Sequence, residues 1–430
     1  MPGSLATQPV FLFLQGPHGP FFNSLARKLR QTGATVWRVG FNAGDRAFWW
    51  HGPGYIPFRA QTEHWPATLS ELISERQVTD LVVYGDTRPL HAQAIIIAKK
   101  AGLRVHVFEE GYLRPYWITY ERNGANGHSA VMGLSIDEMA DNLRNPGHQT
   151  RLPPGHWGDT RQHVFYGALY HACVLALNRG YPAFRPHRTL TVSTEFRLYL
   201  RRLALMPLHA LERGAATLRI QRGGFPYHLV LLQLEHDASF RFHSDYPDMA
   251  SFLGDVIDGF SRGAPAHHHL VFKAHPLEDG RAPIRRDIRN LAATYGLTGR
   301  VHYVGGGKLA RLLDVARSAV TVNSTAGQQV LWRGLPLLCL GRAVYAKPGI
   351  VSDQPVADFF ANPMTPNAAH YDVLRRYLLE TSQIPGGYYA MRGRRTALRQ
   401  IVDRMLADTD VGVSDTKPTA AHEQHLKVVR

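Results

Sequence analysis

Cysteine is nearly missing from this chain: Cys173 and Cys339 are the only two in 430 residues. They stand far apart and outside any metal-ligand spacing. That excludes a disulfide framework and a zinc module, and fits structural thiols in a reducing compartment. Long hydrophobic runs are lacking too. Val10-Phe11-Leu12-Phe13-Leu14 is strand-sized, far below the ~20 residues of a membrane span. No basic segment precedes it, so no secretory signal is expected. Acidic residues are in deficit, 34 against 49 Lys and Arg, leaving a formal charge of +15. Such an excess asks for an anionic partner: nucleic acid, a phospholipid surface or a phosphorylated substrate. Ribonucleoprotein motifs and basic-aromatic ladders are missing, which speaks against nucleic acid. The Gly-x-x-x-x-Gly-Lys phosphate loop is absent, excluding an ATPase of that type, and no Gly-x-Gly-x-x-Gly follows the first strand, which argues against hydride chemistry on a dinucleotide.

What is present is an alternation of short apolar runs and amphipathic stretches. Val10–Leu14, the turn Gln15-Gly16-Pro17-His18-Gly19-Pro20, a helix over 23–32 closed by Gly33, and a second strand from Thr35 make an opening βαβ. Glycine in that turn lets the backbone approach a ligand, although tight βα turns use glycine anyway. Strand Asp80–Tyr84 leads into Gly85-Asp86-Thr87-Arg88-Pro89, and strand Arg104–Phe108 into Glu109-Glu110-Gly111-Tyr112-Leu113-Arg114-Pro115. An all-parallel sheet is expected from this alternation. It would bring Asp86, Glu109 and Glu110 to the same edge as Gln15, Gly16 and His18, as candidate catalytic and substrate-contacting groups. Successive strand residues point to opposite faces, so one glutamate can face a crevice while Arg114 holds the other from behind. A solvated acidic turn capping the sheet is the alternative.

Residues 166–225 read as a helical insertion in which Arg197, Arg201, Arg202, Arg213, Arg219 and Arg222 concentrate positive charge. A solvated helix face and a membrane-facing one are both open there. A second α/β series follows. Its strands end in Gln233, in Lys273-Ala274-His275-Pro276, and in Asn323-Ser324-Thr325-Ala326-Gly327. Lys273 and His275 can pair with a phosphate, and Asn323, Ser324 and Thr325 open a helix whose first amides lack partners. N-capping alone would explain the last three. Both elements in one Rossmann-like series favour nucleotide-phosphate binding. The expected organisation is α/β: a Rossmann-like domain over 9–165, the insertion at 166–225, a nucleotide-binding Rossmann-like domain over 226–360, closing helices over 361–408 and a polar tail from 409. Two such domains facing a central cleft describe a GT-B-like glycosyltransferase.

In this order and spacing, Gln15-Gly16-Pro17, Glu109-Glu110-Gly111-Tyr112-Leu113-Arg114-Pro115, Lys273-Ala274-His275-Pro276, Asn323-Ser324-Thr325-Ala326-Gly327 and Gly334-Leu335-Pro336 resemble the markers of a known family. It is that of the capsule polysaccharide biosynthesis and export proteins of the KpsS/LipB type. The resemblance implies a transferase that places a β-linked Kdo, an eight-carbon acidic ketose, from CMP-Kdo onto a phosphatidylglycerol-type lipid. Such an enzyme is cytoplasmic, peripheral on the inner membrane, and works beside a capsule synthesis and export complex. It further implies that Glu110, with Glu109, is catalytic and that His275 takes the CMP phosphate. Neither Rossmann-like domain carries an Asp-x-Asp pair of the kind metal-dependent transferases use, so neither a metal nor another cofactor is expected. The competing readings are a non-catalytic export component that binds the lipid terminus, and a GT-B-like transferase or epimerase using another sugar nucleotide.

Overall fold

The structure, a computed structural model, describes residues 8–50, 53–143, 160–185, 192–276, 278 and 280–407. The polar tail expected from 409 lies outside them, as do Pro146, Pro153, Pro154 and Pro186. The chain divides into two compact units, the first comprising residues 1–130, 140–189 and 376–430, the second 131–139 and 190–375.

In the first unit β1 (Val10–Phe13) is wholly apolar because it is central. It pairs in parallel with β2 (Thr35–Gly40) on one side and β4 (Asp80–Tyr84) on the other. Between them run α1 (Phe21–Gln31), α2 (Ala43–Ala47), β3 (Tyr55–Pro57) and α3 (Trp65–Glu75). Gly33, at φ +95°, stops α1 where a side chain would be strained. From β4 the chain continues through α4 (Pro89–Lys100) to β5 (Arg104–Glu110), then turns back into β6 (Trp117–Arg122). The far C-terminus returns as β12 (Gln383–Pro385) and α15 (Met391–Leu406). The strand order is β12-β6-β5-β4-β1-β2-β3.

The sheet is therefore not all-parallel: β6 runs antiparallel to β5, and β12 antiparallel to β6. Only six residues, 111–116, separate β5 from β6, too few for the crossover a parallel strand requires. Phe11, Phe13, Phe21, Phe22 and Phe108 pack together beneath α1 and α15, each contributing about 1.5–3 kcal/mol of burial. Helix α6 (Thr160–Leu177) belongs to this unit.

The second unit holds the first residues of α5 (Ile136–Asp141), up to Met139, and the long α7 (Val192–Arg222), which carries Pro207 in its interior. Its sheet is built from β7 (Tyr227–Leu231), β8 (His269–Lys273), β9 (Val301–Val304), β10 (Ser318–Thr321) and β11 (Leu337–Cys339). All are parallel, in the order β11-β10-β7-β8-β9. The helices are α8 (Ala238–Phe242), α9 (Met249–Gly263), α10 (Ile284–Thr294), α11 (Ala310–Leu313), α12 (Gly327–Leu331) and α13 (Val356–Ala361). Helix α14 (Ala368–Thr381) spans the point at which the chain passes back to the first unit. Lys347 fastens the separate 131–139 piece: its ammonium donates to the carbonyls of Val131, Met132 and Leu134 at 2.7–2.9 Å. Both units are Rossmann-like α/β layers, the fold class expected. Among the described residues no helix is long and apolar enough to cross a membrane.

Candidate functional site

An open α/β sheet binds ligands where its strand order reverses, outside the carboxyl ends of the strands. In the first unit the chain moves outward from β1 through β2 and β3, then from β4 in the opposite direction, so the reversal lies between β1 and β4. Gln15 follows β1 there. Its amide nitrogen donates to the Tyr170 hydroxyl (2.8 Å) and to Asp45 (3.3 Å), while Arg88 donates to its amide oxygen (3.2 Å). The Tyr170 hydroxyl also accepts from Asn42 and donates to Asp45, which makes it fully satisfied. Asp45 is buried beside Arg38; burial still raises its carboxyl above the usual range. Gln15 is thus a positioned residue that holds Arg88 at the crevice. Gly16 has a packing reason, since a Cβ there would meet the Phe22 ring at 2.6 Å. His18, half-buried, stacks on Tyr170 at 4.2 Å.

The two glutamates end β5, the strand next to β4. Both are half-buried. Glu109 turns back on its own strand, its carboxylate accepting from the Glu110 N–H (2.9 Å), and its carbonyl accepts from the Tyr388 hydroxyl (2.7 Å). The Tyr84 hydroxyl donates to the Glu110 carboxylate at 3.1 Å. Burial first, then the charge of Glu110, pushes the Tyr84 phenol well above its ordinary pKa, so it stays protonated and can donate. Arg88 lies 5.4 Å over the Tyr84 ring. Arg114 is exposed and donates to the Gly111 carbonyl (3.3 Å). Asp86 is 3% exposed, and one of its oxygens accepts from the Ala125 N–H (2.9 Å) and pairs with His128 (3.1 Å). This anchors the turn after β6. Among the described residues, Glu109, Glu110, Arg88 and His18 are half-buried at this edge and Arg114 is exposed, so a ligand can reach them.

In the second unit the reversal falls between β7 and β10, and an amide clasp closes it. Gln233 donates to the Asn323 side chain (2.7 Å) and accepts from the Asn323 backbone (3.0 Å). Asn323 spends its remaining donors on the carbonyls of Ser239 and His243. Both side chains hold loops together. Lys273, one strand over, is 6% exposed and donates to the Ala274 carbonyl (3.3 Å); burial pushes its ammonium down to about 8. A phosphate placed there would hold it charged. His275 is half-buried and begins the turn after β8, its carbonyl accepting from the Glu278 N–H. Gly306, at φ +93°, sits against Pro276, and a Cβ there would come 3.5 Å from the Arg213 side chain of α7. Ser324 and Thr325 are half-buried. The helix they precede is only five residues long, so little dipole reaches them.

Several of these groups escaped the sequence reading. Tyr84 and Arg88 stand at the end of β4 and in the turn after it, where a strand-end signal existed. In sequence Arg213 is one of several arginines in a basic stretch, with nothing to set it apart. Tyr170 and Tyr388 meet Gln15 and Glu109 from 155 and 279 residues away, and nothing local marks them.

Comparison with known proteins bears on the activity these residues carry. A family described as capsule polysaccharide biosynthesis protein matches residues 79–389. The Escherichia coli capsule polysaccharide export protein KpsS is 31% identical over 381 residues, covering 88% of this chain and 96% of that protein. The capsule polysaccharide modification protein LipB of Neisseria meningitidis serogroup A is 32% identical over 390 residues, covering 88% and 91%. Among solved structures, Thermosulfurimonas dismutans KpsC, a beta Kdo 2,7 transferase, superposes with a TM-score of 0.45 at 13% identity, covering 92% of this chain and 98% of that one. With a match across most of its length and two relatives above 30% identity, the chain belongs to the capsule polysaccharide biosynthesis protein family.

Proposed function

We propose that the protein is a glycosyltransferase that moves Kdo from CMP-Kdo to a phosphatidylglycerol-type lipid at the inner membrane, starting the linker of a capsular polysaccharide. The observation that carries this reading is the Glu110 carboxylate at the end of β5, held by the Tyr84 hydroxyl at 3.1 Å in a chain of the capsule family. Transfer of Kdo passes through an oxocarbenium-like state, and a carboxylate beside the anomeric carbon stabilises its positive charge. In this reading Glu110 attacks that carbon as the bond to the phosphate oxygen breaks, and CMP leaves with the electron pair. The acceptor hydroxyl then displaces the carboxylate, its proton passing to the released CMP phosphate, giving retention. Glu110 is preferred to Asp86 as nucleophile because Asp86 is buried and committed to Ala125 and His128. His275, Lys273, Ser324 and Thr325 are assigned to the departing phosphate in this reading. The reading needs no metal.

Glu110→Gln should lower turnover of CMP-Kdo by about 10²–10⁴-fold, the range for loss of a positioned carboxylate. It should leave the thermal shift given by CMP intact. Intact mass of a variant that stalls after the first step should show a Kdo adduct on Glu110. Undiminished turnover in Glu110→Gln would refute the assignment. A larger shift with UDP or GDP than with CMP would favour another sugar nucleotide. A protein that binds the lipid without any turnover would be an export component.

A further inference from the structure

Helix α6 has an outer face that none of the described residues of the first unit covers. Residues 162–178 contain no Lys, Arg, Asp or Glu. The inner side of the helix packs through Tyr166 on Phe48, Tyr170 on His18 and His163 on Tyr389. The outer side exposes Phe165 (61%) and Leu169 (40%) one turn apart, with Val164 (45%) and Leu175 (46%) flanking them, as one broad apolar stripe. Tyr166 joins this stripe to a cavity of about 430 Å³, also lined by Arg27, Arg30, Arg394 and Trp50, with no carboxylate in its wall. The cavity is built in advance: Arg30 donates to the carbonyls of Val36 and Pro53 at 2.8–2.9 Å and stacks over Trp49, and Arg394 donates to the Tyr389 carbonyl. Trp50 is 52% exposed at its rim.

Cations with no acidic partner among the described residues, an exposed indole and an adjoining apolar stripe are complementary to one surface, the headgroup and upper acyl layer of an anionic bilayer. A second copy of the chain suits it poorly, because twofold pairing of this patch would set arginine against arginine. We propose that the outer face of α6 and the Arg27–Arg30–Arg394 cavity dock the protein on an anionic phospholipid surface, the cavity taking one lipid phosphate. This deepens the acceptor side of the proposed function and moves the membrane face away from α7, where the sequence had concentrated arginine.

The test is co-sedimentation of the full chain with phosphatidylcholine vesicles, with and without phosphatidylglycerol. Wild type should partition onto the anionic vesicles only. Arg27→Gln combined with Arg394→Gln should weaken that partitioning about 30-fold, from the contribution of two cations at an anionic surface. Phe165→Asp should weaken it comparably, whereas Arg197→Gln with Arg201→Gln on α7 should leave it as in wild type. The CMP thermal shift of all variants should stay unchanged, which separates a docking failure from failure of the donor assignment. Vesicle binding that survives the first two substitutions, or is lost with the α7 pair, overturns the proposal. So does a Phe165→Asp variant that changes only the oligomeric state.

Discussion

Acidification should destabilise the second unit through His228, and the size of the effect follows from its surroundings. The ring is fully buried on β7, with Nδ1 bonded to the Ser318 hydroxyl (2.8 Å) and Nε2 to His268 Nδ1 (3.0 Å). Phe360 lies 5.0 Å away and Phe260 6.1 Å. Burial, then the charges of His268 and Arg317, pushes its pKa down to about 3. An unfolded histidine titrates near ~6.5. The unfolded chain therefore takes up the proton first, and stability falls as pH drops below that value toward the folded one. The slope is about 1.4 kcal/mol per pH unit, so about 2 kcal/mol is lost by pH ~5. Urea unfolding at several pH values should show this, and His228→Asn, which keeps a polar group near Nδ1, should flatten the slope by about one proton's worth. Absolute stability of the variant will be lower because His268 loses its partner, so the slope is the readout. Parallel pH profiles for wild type and His228→Asn would refute the reasoning.

Lys347→Met should release the 131–134 segment from its three carbonyl bonds and cost about 2–4 kcal/mol, checked by urea unfolding. Gly111→Ala places a Cβ 2.3 Å from the Trp117 carbonyl, so it should shift β5 against β6 at the glutamates. Its expected outcome is a fall in both thermal stability and turnover, and a variant with normal values would contradict the packing described. Turnover of CMP-Kdo should survive EDTA; a loss restored by magnesium would overturn the metal-free reading.

Much of the scaffold is determined by sequence alone, because buried parallel strands must be continuous apolar runs and their ends must turn. Val10–Phe13, Asp80–Tyr84, Arg104–Glu110, Tyr227–Leu231 and His269–Lys273 were legible in that way, as were the polar residues at their ends. What the same letters cannot state is how each polar side chain is spent. Gln15, Asn323 and Gln233 read as ligand contacts, yet their amides are committed to Tyr170, Arg88 and each other across 73 to 155 residues. Likewise Asp86 and Glu110 are equivalent carboxylates in sequence. One is buried under Ala125 and His128, and the other stays half-buried with a single tyrosine donor from β4. The outermost antiparallel strand was hidden for the same reason: β12 lies more than 260 residues from the strand it pairs with, Gln383 meeting Thr119. Local pattern records which residues must leave water. Their partners depend on long-range closure of the chain, which only the folded structure decides.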